Sequence, residues 1–111
     1  MILALTLDLY ADCTYNKFIS FQWDRDKAQA NLDNHKIDFS DSAGVFEDQW
    51  ALTIKEHYVE DEQRFVTLGM DFLGRVLVVV YTYRHEDIRL ISARRATRPE
   101  RRTYERKRVQ L

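Results

Sequence analysis

RFVTLGMDFLGRVLVVVYTYRHEDIRLISARR, residues 64–95, contains three runs rich in β-branched and aromatic residues, and these decide the fold. Residues 64–70, 75–83 and 88–94 each have strand length and strand composition, and the breaks between them, Asp71-Phe72-Leu73-Gly74 and Arg84-His85-Glu86-Asp87, are hairpin-length loops. The middle run, RVLVVVYTY, is apolar on both parities, which marks a central strand covered at least in part on both sides, by a helix or by a partner chain. Upstream, residues 51–58 (ALTIKEHY) alternate, with Leu52, Ile54 and Tyr58 on one side and Thr53, Lys55 and His57 on the other. The acidic Glu60-Asp61-Glu62 reads as the turn into the next strand. The spacing therefore predicts a four-strand antiparallel meander.

Helices flank the meander. Residues 18–23 read as a short strand with Phe21 and Trp23 on one face, and Asp24 is placed to cap a helix running to about Lys36. The apolar face of that helix is thin, comprising Ala28, Leu32 and His35. A second short helix starts at Ser40 as its cap, with Phe39, Ala43 and Phe46 spaced for one face. After the last strand, Thr97-Arg98-Pro99-Glu100 forms a capping box with proline inside the first turn, opening a C-terminal helix. The expected class is α+β: a small antiparallel sheet of four or five strands, two N-terminal helices and one basic C-terminal helix. Residues 21–111 form the domain. Residues 1–20 are an extension in which Leu3, Leu5, Leu7 and Leu9 alternate with other residues as an added strand would.

Composition narrows the function classes. A chain of 111 residues fits one domain without staples, and its single cysteine, Cys13, has no internal partner, which fits a reducing, cytoplasmic compartment. No apolar run approaches the roughly 20 residues of a membrane span. The N-terminus lacks the basic region of a signal peptide, and Asp8 interrupts its apolar run. Net charge is only −1, yet residues 94–108 hold eight Arg or Lys against Glu100 and Glu105, leaving a net of +6 there and −7 elsewhere. A basic end on an acidic body suits a polyanion or an acidic partner, and equally a solvated helix face. His35, His57 and His85 have no metal-ligand spacing, and neither Ser92 nor Cys13 sits in a nucleophile signature, so no metal or cofactor is expected. What remains is arginine on strands: Arg64, Arg75, Arg84, Arg89 and Arg94 lie in or beside the last three. Guanidinium matches phosphate oxygens in shape and charge, so converging arginines would bind an RNA backbone; surface ion pairing is the other reading.

FQWDRDKAQANLDNHKIDFSDSAGVFED and RFVTLGMDFLGRVLVVVYTYRHEDIRLISARRATRPERRTYER, above all IRLISARRAT followed by ERRTYE, together resemble the BrnT family over about residues 21–106. The resemblance implies a ribonuclease toxin with a RelE-like fold and no metal. It also implies neutralisation by a BrnA-like antitoxin whose ribbon-helix-helix domain binds operator DNA on behalf of the complex. On the matching positions it implies Arg64, Arg89 and Arg94 as phosphate and transition-state ligands, with Arg84 and Glu86 at the hairpin and the Lys36 and His35 pair after the first helix toward the RNA backbone. A 2′-hydroxyl proton acceptor is sought among Glu56, His57 and Glu86. Family members usually begin near the Phe-x-Trp-Asp strand, so the residues before it bear on oligomeric state. The alternative function is a non-catalytic module whose basic C-terminal helix docks an acidic partner or nucleic acid.

Overall fold

The computed structural model describes residues 19–109, apart from the side chains of residues 55–57 and 109. The strand expected within residues 1–18 lies outside the described residues. Chain order is β1 (Phe21–Gln22), α1 (Arg25–His35), α2 (Phe39–Ser42) running into a 3₁₀ turn (Ala43–Glu47), β2 (Leu52–Val59), β3 (Glu62–Met70), β4 (Val76–Arg84), β5 (Asp87–Arg95) and α3 (Arg98–Val109). The described strands form one sheet in the order β1-β5-β4-β3-β2.

β2 to β5 make the expected meander, with β4 near its centre. The first strand departs from expectation: only Phe21 and Gln22 pair, and they run parallel to β5 against Ile88 and Arg89, so the sheet is mixed. A parallel neighbour requires a long crossover, and here nearly the whole domain separates the two strands. The acidic turn is tighter than read from sequence. Glu60 and Asp61 alone make it, both left-handed at φ 51° and 65°, and Glu62 is already in β3.

One face of the sheet carries the main core. Leu77, Val79 and Tyr81 of β4 meet Ile88, Leu90 and Ala93 of β5 and, across the layer, Ile37, Phe39 and Val45. The buried hydroxyls of Thr67 and Tyr81 satisfy each other on this face, Thr67 Oγ1 lying 2.8 Å from Tyr81 Oη and 2.8 Å from the hydroxyl of the exposed Thr53. The cap of α2 lies two residues earlier than expected. It is Asp38, which accepts from the Ser40 amide at 2.9 Å and the Ser40 hydroxyl at 2.8 Å, so Ser40 is a donor to the cap rather than the cap itself. Those two bonds hold the Asp38 carboxyl below its ordinary range.

The other face is only partly covered, by α3. The capping box forms as expected: the Thr97 amide donates to Glu100 Oε1 at 2.8 Å and the Glu100 amide to Thr97 Oγ1 at 3.4 Å. Tyr104 is fully buried and donates to Asp48 Oδ2 at 2.6 Å, while the same oxygen accepts from the Met70 amide at 2.8 Å. Burial, then the Asp48 carboxylate, push the Tyr104 hydroxyl up to about 12. Beyond α3 an apolar groove of about 180 Å³ stays open, lined by Leu52, Ile54, Val66, Leu68 and Val78 with Glu100 and Thr103 of the helix. Ile54 is 64% exposed there.

The free edge of β5 is closed by a side chain. Among the described residues β1 covers β5 only as far as Arg89, and the later backbone groups on that edge have no strand partner there. Asn31 of α1 fills in for one: its Nδ2 donates to Ala93 O at 2.9 Å and Ile37 O at 3.0 Å, and its Oδ1 accepts from the Ala93 amide at 3.0 Å. The carboxamide thus acts as one residue of a missing strand. It also corrects the expected helix face, because Asn31 is the buried residue of α1 while Leu32 is 40% exposed. Asn31→Ala would orphan a buried amide and two carbonyls. We expect a loss of about 3 kcal/mol, read as a lower urea midpoint at unchanged slope.

Candidate active site

Two one-residue irregularities assemble the site. In β2, Lys55 pairs with Phe65 and Tyr58 with Gln63, so residues 56 and 57 together oppose Arg64. In β5, Leu90 pairs with Tyr81 and Ser92 with Val80, leaving Ile91 as the extra residue. A bulge inverts the inward–outward alternation beyond it. Tyr58 therefore does not share a side with Leu52 and Ile54, as the sequence alternation suggests; Val59 takes that face instead. In β5 the bulge sends Ile88 and Leu90 into the core and turns Arg89 to the opposite face, level with Thr82.

On that face an open cleft of about 290 Å³ is lined by Val59 and Glu60, by Glu62 and Arg64 of β3, Arg84 of β4, Arg89 and Ile91 of β5, and Lys27 of α1. Four cations against two carboxylates give it a formal charge of +2. Arg64 Nε is shut off from solvent and has no aligned acceptor among the described residues; Glu62 Oε1, at 3.4 Å, is its ion-pair neighbour. Among the described residues Lys27, Arg84 and Arg89 make no side-chain ion pair. Like charges gathered without partners cost stability, so such a cluster points to an anionic ligand.

The five strand arginines fall into two groups. Arg64, Arg84 and Arg89 line the cleft. Arg75 is held by Asp71 through Nε at 2.9 Å and a second nitrogen at 2.7 Å. Arg94 forks onto Glu100 at 2.9 and 3.0 Å, clamping α3 to the sheet. Arg94 lies level with Val78, four residues along β4 from the Thr82 opposite Arg89, a separation of about 13 Å. Lys36 caps the far end of α1 with φ 62°, its Nζ donating to Asp33 O at 2.9 Å, and His35 precedes it. Glu86 sits in the β4–β5 turn. None of these three lines the cleft. The bulge places Glu56 and His57 beside Arg64 in register, and their side chains lie outside the described residues. Sequence reasoning missed Lys27, Glu60 and Glu62. Glu62 was within reach of it, two residues before Arg64 on the same strand face. Lys27 depends on how α1 is seated. Among the described residues no three His, Cys, Asp or Glu side chains gather as metal ligands, and no helix is long and apolar enough to cross a membrane.

An arginine-lined cleft lies on one face of the sheet of this α+β domain, and guanidinium groups match phosphate oxygens in shape and charge. The profile of the ribonuclease toxin BrnT, of type II toxin–antitoxin systems, matches residues 23–100, and the chain belongs to that family. The fold is also similar to the crystal structure of the Brucella abortus ribonuclease toxin BrnT, with a TM-score of 0.56 and 22% identity over 72% of this chain and 99% of that one. No curated protein sequence matches significantly.

The Arg94 clamp has a pH signature. Its hydrogen bonds, followed by the Thr97 amide, lower the Glu100 carboxyl from 4.5 to about 2. A depressed carboxyl stabilises the fold above its unfolded value, and that contribution is lost as pH falls from 4.5 through about 2. Because the pair is more than a third exposed, the contribution is at most about 1 kcal/mol. Glu100→Gln should therefore lie below wild type in stability at neutral pH, with the gap closing across that acid window in urea titrations.

Proposed function

We propose that this chain is a metal-independent endoribonuclease toxin with a RelE-like fold, which arrests growth by cleaving RNA in the cytoplasm. The observation that carries this reading is the gathering of Arg64, Arg84, Arg89 and Lys27 around one open cleft, in a chain of the BrnT family. A phosphodiester has one negative charge, and the phosphorane-like transition state of its cleavage approaches two. A fixed surplus of +2 favours the second over the first, which is the differential binding that speeds a reaction. The 2′-oxygen forms its bond to phosphorus while the bond from phosphorus to the 5′-oxygen breaks, leaving a 2′,3′-cyclic phosphate and a 5′-hydroxyl. Arg64, Arg84 and Arg89 hold the phosphate, and Arg94 acts at one remove by fixing α3. His35, Lys36 and Glu86 lie outside the cleft, where they would meet flanking RNA.

The partner is an antitoxin of the ribbon-helix-helix type, through which alone the complex meets operator DNA. A neutralising segment that is apolar and acidic fits the surface. The open groove at Ile54 is apolar, and the arginine cleft lies farther along the same face of the sheet. With the antitoxin co-expressed, Ile54→Glu is expected to weaken the complex at least 10-fold without slowing cleavage by the free toxin, read by titration calorimetry and an RNA assay. Equal affinity would place the segment elsewhere.

The nuclease reading is tested by incubating the purified chain with a defined RNA in EDTA and analysing the ends. Cyclic phosphate ends are expected, with cleavage falling about 10²–10³-fold in Arg64→Ala and in Arg89→Ala at unchanged circular dichroism. Intact RNA, or full activity in both variants, would overturn it.

A further inference from the structure

Glu62 is anomalous in a cleft that holds phosphate. A carboxylate there repels the ligand that the arginines attract, and removing it would strengthen ground-state binding. Its pairing with Arg64 is loose, at 3.4 Å and out of hydrogen-bond alignment. Glu60 sits at the tip of a left-handed turn, whereas Glu62 lies on the regular β3 strand, sharing a face with Arg64. A carboxylate fixed beside a phosphate site has one use that its charge does not spoil, which is to take a proton.

The cleft is also ordered across the sheet. Glu62 and Arg64 stand on β3, Arg84 on β4, Arg89 on β5, and Lys27 on α1 beyond β5. The carboxylate and the ammonium therefore occupy opposite walls, with Arg84 and Arg89 between them and Arg64 beside the carboxylate. In-line displacement at phosphorus needs this layout, because the attacking and leaving oxygens sit at opposite apices. Lys27 is fixed by its place on the helix: it lies one turn before Asn31, on the face that Asn31 pins to β5.

We propose that Glu62 accepts the proton of the attacking 2′-hydroxyl and that Lys27 donates one to the departing 5′-oxygen. The proton on the 2′-oxygen passes to the Glu62 carboxylate as the new bond to phosphorus forms. The bond to the 5′-oxygen breaks, and that oxygen takes a proton from the Lys27 ammonium. Water returns the proton from Glu62 to Lys27 afterwards, so the pair is restored. This assignment rests on the nuclease reading of the cleft.

The test uses one RNA in two forms, with oxygen or with sulfur at the bridging 5′ position of the scissile phosphate. Sulfur leaves without being protonated. Glu62→Gln is expected to slow both forms by about 10²-fold or more and to remove the acid limb of the pH–rate profile. Lys27→Arg, which keeps the charge, is expected to slow the oxygen form by a similar factor and to leave the sulfur form close to wild type. An acid limb that persists in Glu62→Gln but disappears in Glu56→Gln or His57→Gln overturns the Glu62 role. Equal loss on both RNAs in Lys27→Arg overturns the Lys27 role, since a residue that merely supplies charge or packing treats both alike. A wild-type chain that cuts neither form sinks the nuclease reading itself; one that cuts while both variants match it sinks this assignment alone.

Discussion

The carboxamide of Asn31, bonded to both backbone groups of Ala93, is the contact on which the arrangement turns. A sheet edge is a row of unpaired donors and acceptors, and among the described residues β5 would present such a row beyond the short reach of β1. A helix has no backbone groups to spare for it. A side-chain amide has the same donor and acceptor as a peptide, and so can close the edge from a helix. The same contact fixes the rotation of α1 and carries Lys27 to the rim of the cleft. Edge protection and site construction are thus one interaction, and a change at Asn31 reaches the site without touching it.

The cleft itself comes from irregularity in an otherwise plain meander. Had β5 run without its bulge, Arg89 and the core residues Ile88 and Leu90 could not take the faces they do while Ala93 stays in the core. The second bulge, in β2, faces Arg64. Between these two, charges are gathered that an ordinary surface would disperse. Away from the cleft the cations are treated conventionally: Arg75 is neutralised by Asp71 and Arg94 by Glu100. The contrast within one sheet separates arginines bound into the fold from Arg84 and Arg89, which make no side-chain ion pair among the described residues.

Much of this was legible in the residues. The apolar run 75–83 located the central strand, Asp24 and the Thr97–Glu100 box located two helix starts, and the resemblance of IRLISARRAT and ERRTYE located the family. Arg64, Arg84 and Arg89 were singled out and do come together, whereas Arg94, grouped with them by sequence, is engaged with α3. The rest was hidden for definite reasons. Periodicity assumes an unbroken strand, so the bulge at residues 56–57 inverted the face it assigned to Tyr58, and the bulge at Ile91 set the face of Arg89 without a periodic signal. Hydrophobic patterning looks for apolar anchors, so it favoured Leu32 over Asn31, whose burial is justified only by a strand distant in sequence. Asp38 and Ser40 are both good capping residues, and propensity alone cannot rank two candidates two residues apart. Lys27 was not among the site residues read from sequence, because its place follows from that same distant contact.

The central claim is that phosphate is held in the cleft and not on the basic C-terminal helix. It is tested most directly by following the arginine Nε resonances of the chain while adding a 2′-deoxy analogue of its RNA, which binds without being cut. The account predicts that Arg64, Arg84 and Arg89 shift together along one saturating curve while the arginines of α3 stay in place. Shifts confined to α3, with the cleft arginines unmoved, would contradict it.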